Sequence, residues 1–122
     1  MSENVENLGF FVKESKFDYF FGRVQSNARN QQRALQNLSD LRRLGIDEAT
    51  GGRERLLQIF QDSLNAPETS RYISDYGITI TRRIELSRGA IEVKYFYPSS
   101  DLSSTPEIVT IIPKVYRRES DL

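Results

Sequence analysis

The chain has no cysteine and no histidine among its 122 residues. Without cysteine there is no disulfide scaffold, no thiol nucleophile and no thiolate zinc site. Without histidine it loses the usual general base, the commonest metal ligand and the ordinary pH switch. An excess of one charge is lacking too, since 17 Lys and Arg balance 17 Asp and Glu. That excludes broad electrostatic capture of nucleic acid or of an anionic membrane, though not a local patch. No run approaches the roughly eighteen consecutive apolar residues of a membrane span. The opening MSENVENLGFF has neither a basic nor an apolar signal region. The expectation is a cytoplasmic protein folding as one domain over 1–122, with loose ends at 1–9 and 117–122.

Two hydrophobic periods divide the chain. Phe17, Phe20, Phe21 and Val24 follow helical spacing, with Ser15 placed to cap the start and Gly22 to stop or bend the end. A second helix begins at a Ser26 or Asn27 cap and buries Ala34, Leu35, Leu38 and Leu41; Arg42 and Arg43 complement its C-terminal dipole before Gly45. A third follows the Asp47–Thr50 cap region, with Leu56, Leu57, Phe60 and Leu64 on one face and Pro67 beyond it.

From Tyr72 the period becomes two. Tyr72, Tyr76, Ile78, Ile80, Ile84 and Leu86 share one parity, and Thr79, Thr81, Arg83 and Glu85 the other. Fifteen residues are long for one strand, so a turn or bulge is expected at Asp75–Gly77. Arg88–Gly89 reads as a hairpin, followed by Ile91, Val93, Tyr95 and Tyr97 alternating with Glu92, Lys94 and Phe96. After a Ser-rich loop from Pro98 to Pro106, Glu107–Tyr116 forms the last strand, where Pro113 implies an edge or a strand end. Helices followed by strands predict an α+β fold, with N-terminal helices on one face of a C-terminal antiparallel meander of three to four strands.

No Walker loop, dinucleotide fingerprint, nucleophile elbow or metal-ligand cluster is present, so neither cofactor nor metal is expected. Two polar groupings stand out. Asn30, Arg33 and Asn37 line one helix face, and residues 23–43, with Arg23 and Arg29, carry five Arg against Asp40, a local charge of +4. Arg forks suit bidentate phosphate binding, whereas the ordinary reading is a solvated helix face. On the strands, Thr79, Thr81, Arg83, Glu85, Glu92 and Lys94, with Thr110 and Lys114, mark a polar sheet face opposite the apolar one. Cross-strand ion pairs are its ordinary use; binding a phosphodiester and stabilising its charged transition state is the alternative. Arg82 falls in the apolar parity, so either a bulge turns it outward or an acid or bound anion holds it inside.

The stretch KFDYFFGRVQSNARNQQRALQNLSDLRRLGI, with DYGITITRR and EIVTIIPK, resembles C-terminal toxin domains of bacterial polymorphic and contact-dependent inhibition systems. The likeness runs from about Lys16 to Lys114 and rests chiefly on Phe21-Gly22-Arg23 followed by Asn30, Arg33 and Asn37. Many such domains resemble the barnase–colicin–RelE class of ribonucleases. The resemblance implies metal-independent RNA cleavage, in which a ribose 2′-hydroxyl attacks the adjacent phosphate, and a cognate immunity protein as partner. Matching positions make Arg23, Asn30, Arg33 and Asn37 candidates for positioning phosphate and base, with Arg29 beside them. From facing geometry, Arg83 and Lys94 suit charge stabilisation, Glu85 or Glu92 the base, and Thr81 and Thr110 substrate contacts. Such domains commonly carry a His where Arg29 stands, and Arg does not shuttle protons near neutral pH. The chain is then a member using another base or an inactive relative, either stand-alone or a piece of a larger protein. The alternative is a non-catalytic module binding protein or nucleic acid; the sequence specifies no oligomeric state.

Overall fold

Helical stripes in the first half and alternation in the second build two layers in the computed structural model, which describes residues 4–5, 9–23 and 27–116. Two short antiparallel strands, β1 (Asn4–Val5) and β2 (Val12–Lys13), come first. Then follow helices α1 (Lys16–Phe20) and α2 (Ala28–Arg43), a 3-10 turn at Glu48–Thr50, and helix α3 (Gly52–Ser63). Strands β3 (Glu68–Ser74), β4 (Gly77–Leu86), β5 (Gly89–Pro98) and β6 (Glu107–Val115) form an antiparallel meander in the order β3-β4-β5-β6. The fold is α+β, as the order of periods predicts. Among the described residues no helix is long and apolar enough to cross a membrane. The loose ends expected at 1–9 and 117–122 fall mostly outside the described residues.

Local chemistry sets the helix ends. Asn27 has extended backbone, and its side chain accepts the Asn30 N–H at 2.9 Å, so Asn27 is the α2 cap; Ser26 lies outside the described residues. At the other end Gly45 takes φ +87°; its N–H reaches Arg42 O at 3.0 Å, and that of Ile46 reaches Leu41 O at 2.8 Å. Those two bonds satisfy carbonyls that the helix leaves open. Helix α1 is only five residues long, and Ser15 precedes it without a side-chain cap bond. Phe17, Phe20 and Phe21 are buried as the stripe predicts, whereas Val24 lies outside the described residues. Leu35 is a correction: it is 49% exposed, because the buried stripe of α2 runs through Ala34 and Leu41.

One sheet face carries Ile78, Ile80, Ile91, Val93, Tyr95, Tyr97, Ile108 and Ile111 into the core, where Phe10, Phe17, Phe20, Leu41, Leu56, Ile59 and Phe60 meet them. Tyr95 ties the two layers together. Its hydroxyl donates to Phe60 O at 2.5 Å and contacts Ser63 Oγ, so the one polar atom of a fully buried ring is satisfied by α3.

Strand β3 departs from the expected alternation. It begins at Glu68, and Tyr72 and Ile73 stand 68% and 67% exposed, with Tyr76 in the turn at 82%. As the sheet's outer strand it lies beyond the helices' cover, so its apolar residues face water. At the opposite edge Phe11 bridges to β6 through Phe11 N–H to Pro106 O and Ile108 N–H to Phe11 O, both 2.8 Å. Pro113 sits on this edge strand, where its missing N–H breaks no ladder.

Candidate functional site

The uncovered sheet face is built by strand register alone. Thr81 on β4 stands opposite Lys94 on β5, and Lys94 opposite Thr110 on β6. The neighbouring row pairs Arg83 with Glu92 and continues to Ile112. Adjacent strands lie about 4.8 Å apart, so each row spans about 10 Å. The strand residues expected on one polar face therefore do share one, but Thr81, expected to contact substrate, is buried at 5% exposure, and Phe96 is half-buried beside Lys94.

At its far end the face carries a hydrogen-bonded cluster. Arg83 Nε donates to Glu85 Oε1 at 2.9 Å, and its Nη2 donates to the Tyr116 hydroxyl at 2.5 Å. Tyr116 in turn donates to Glu85 Oε2 at 2.5 Å, and Glu92 stands 3.6 Å from Arg83 Nη1. The Tyr116 hydroxyl, and then Arg83, hold the Glu85 carboxyl below the usual carboxylate range. The same partners, Glu85 first and Tyr116 second, raise Arg83 further above its already high value. Tyr116 is the member the sequence reading missed. Its parity with Thr110, Ile112 and Lys114 on the last strand was the available signal.

The helix residues lie elsewhere. Helix α2 buries Ala34 and Leu41 in the layer covering the opposite face. Asn30 and Asn37 are half-buried on the shoulder of that stripe, and Arg29 and Arg33 are exposed. Among the described residues no hydrogen bond or ion pair joins Arg29, Arg33 or Asn37 to Arg83, Glu85 or Lys94. Arg23 is engaged by Asp18 at 2.9 Å and by Glu48. Glu48 is the larger cause of its raised pKa. Arg82 points into the helix side and makes no salt bridge among the described residues, although its register partner Glu68 on β3 feels its charge. Arg82 Nη1 donates to Ala66 O at 2.9 Å at the end of the α3 connection, and its Nε is buried without a partner among the described residues. The bulge next to it is on β3, between Glu68 and Ser70.

Two concavities flank the open face. One, of about 330 Å³, is lined by Asp62, Asn65, Thr69, Arg83 and Glu85. The other, of about 450 Å³, lies between β2, α1 and the edge of β6, with Lys13, Ser15, Lys16, Tyr19 and Thr110 in its wall. No group of three or more metal-ligating side chains occurs among the described residues.

No family model and no curated protein matches the chain. Among solved structures it is similar to one chain of the contact-dependent growth inhibition toxin–immunity protein complex from Klebsiella pneumoniae 342. The TM-score is 0.69 at 23% identity, covering 84% of this chain and 98% of that one. The likeness is one of fold. A helix-then-sheet architecture of this size thus occurs in a contact-dependent inhibition complex.

Proposed function

We propose that the chain is a toxin-like domain that binds RNA on the open sheet face and cleaves it without a metal, countered in its own cell by an immunity protein. The observation that carries this reading is the Arg83–Glu85–Tyr116 cluster on the uncovered face, with Glu92 and Lys94 beside it. The shared fold with a chain of a toxin–immunity complex supports the toxin side of it.

Cleavage by a ribose 2′-hydroxyl needs a base, charge stabilisation and an acid. Glu85 is the poorer base, since Tyr116 and Arg83 favour its ionised form. Glu92 receives no hydrogen bond from Tyr116 among the described residues, and its side chain is 18% exposed against 63% for Glu85. In this scheme Glu92 takes the 2′-hydroxyl proton as the O2′–P bond forms. Arg83 and Lys94 hold the non-bridging oxygens. The P–O5′ bond breaks, and the leaving oxygen takes the Tyr116 proton, with Arg83 Nη2 steadying the phenolate left behind. Products are a 2′,3′-cyclic phosphate and a free 5′-hydroxyl.

The test is incubation of purified protein with total RNA beside Arg83→Ala, together with expression in cells lacking any partner. Expected are discrete fragments ending in a cyclic phosphate, a loss of about 10²-fold or more in Arg83→Ala, and growth arrest by the parent chain alone. Intact RNA and unimpaired growth would reject the nuclease. One observation favours a second reading: two carboxylates already flank the single guanidinium of Arg83. A non-catalytic module would bind RNA, or an immunity-like protein, without producing fragments.

A further inference from the structure

The cleft between β2, α1 and the β6 edge belongs to none of the residues assigned above except Thr110. Its wall contains two lysines and three hydroxyls and no carboxylate. Alternation in β2 turns Val12 into the core and leaves Lys13 exposed at the rim. Lys13 forms no ion pair among the described residues. Lys16 is held in place, its Nζ donating to Val109 O at 2.8 Å. That carbonyl is reachable because Val109 is the extra residue of a bulge: Lys94 pairs with Thr110 and Tyr95 with Ile108, leaving Val109 unmatched on β5. An ammonium has three donors, so Lys16 keeps two for a ligand. The acids beside these lysines in sequence are engaged elsewhere, Glu14 by Arg53 at 2.7 Å and Asp18 by Arg23 at 2.9 Å.

We propose that this cleft is a second phosphate subsite, binding one backbone phosphodiester of a single-stranded RNA whose scissile phosphate lies over Arg83 and Lys94. The inference rests on the RNA reading above and adds where the strand runs. Thr110 connects the two places, lining the cleft and standing opposite Lys94 in the row that ends at Thr81. The strand enters past Lys13 and Lys16, crosses Thr110 and Lys94, and reaches Arg83 and Tyr116, whose ring is available for base stacking at its end. A basic track with interspersed aromatic rings is how single strands are held without sequence readout.

The test uses 2′-O-methyl oligouridylates, which lack the attacking hydroxyl, with fluorescence anisotropy over a salt series on the full chain. Lys13 is exposed, so Lys13→Ala and Lys13→Glu keep the fold, as a thermal melt will register. Expected is a several-fold loss of affinity for an octanucleotide in Lys13→Ala, a larger one in Lys13→Glu, and recovery in Lys13→Arg. The slope of log K against log salt falls by about 0.7 in Lys13→Ala, while a dinucleotide short enough to cover only the open face binds all variants alike. Equal octanucleotide affinity and slope across the variants, with the parent chain binding, would overturn the subsite and leave the RNA reading standing. Absence of octanucleotide binding by the parent chain at low salt would overturn both. An acidic protein partner competed by neither oligonucleotide, yet weakened by Lys13→Glu, would assign the cleft to protein and overturn the subsite too.

Discussion

The hydroxyl of Tyr116 donates to Glu85 Oε2 at 2.5 Å across 31 residues of chain. Alternation puts Arg83 and Glu85 on one face two residues apart, and the β6 register brings Tyr116 up to both. Exposed ion pairs contribute little to stability, so this arrangement matters for what it orients. A guanidinium fixed by a carboxylate and a phenol keeps one direction in solvent, where a lone Arg would sample many.

Replacing Tyr116 by Phe removes the larger cause of the lowered Glu85 pKa. The Glu85 midpoint should then rise towards the ordinary value of about 4.3. The sign follows from linkage: a carboxyl lowered by folding stabilises the fold above its unfolded pKa, and that contribution fades as pH falls through the folded value. In Tyr116→Phe the Glu85 contribution is smaller and is exhausted at a higher pH. Carboxyl carbon NMR from pH 2 to 6 measures the midpoint directly; an unmoved Glu85 would mean that the hydrogen bond does not form in solution.

Lys94 and Arg33 separate the two polar groupings. On the open-face reading, Lys94→Ala lowers the cleavage rate at saturating RNA by about 10- to 100-fold, since Lys94 acts on developing charge. Arg33, exposed on α2 and unconnected to the cluster, should affect only binding. Arg33→Ala is expected to leave that rate unchanged and to reduce the salt slope by up to about 1. A loss of rate in Arg33→Ala equal to that in Lys94→Ala would move the chemistry to the helix.

What was legible in the sequence follows the range of the interactions. The ends of α2 could be read because a cap is decided within four residues: Asn27 accepts from Asn30, and Gly45 supplies φ +87°. The row of Thr81, Lys94 and Thr110 was legible because alternation in each strand fixes which residues share a face. Burial of β3 was misread for a physical reason. Tyr72 and Ile73 have the composition of covered strand residues, but cover depends on strand order, which local pattern does not encode. The cleft was hidden for a similar reason. Lys16 meets Val109 over 93 residues, and only through a bulge that leaves no mark in the spacing of EIVTIIPK. Arg82 was correctly seen as anomalous, but its partner is a backbone carbonyl, which every residue carries.

Tyr95→Phe tests the tie between α3 and the sheet. The hydroxyl is buried, donates to Phe60 O and contacts Ser63, and burial raises its pKa above the tyrosine norm. Removing it leaves the ring packing intact but deprives two buried groups of a partner, at about 1–3 kcal/mol. Urea denaturation should show a lower midpoint with the same m-value. Because Tyr95 faces the core, RNA cleavage per folded molecule should stay at the parent level, unlike in Tyr116→Phe.

Gly89→Ala should be the most damaging single methyl in the sheet. The glycine pairs with Leu86 on one side and Val115 on the other, closing the β4–β5 hairpin against β6. A Cβ there would sit 1.9 Å from Lys114 O and 2.7 Å from Leu44 Cδ2. The leucine can turn aside; the carbonyl can move only by displacing β6, and with it Lys114, Val115 and the approach of Tyr116 to Glu85. Destabilisation beyond about 3 kcal/mol is therefore expected, seen as a loss of soluble protein or a melting temperature lowered by 10 °C or more. Gly45→Ala provides the contrast. Nothing lies within 4 Å of its added Cβ, so only the φ of +87° is strained, at about 1 kcal/mol. Equal losses at the two sites would show that β6 does not approach Gly89 as closely as its register requires.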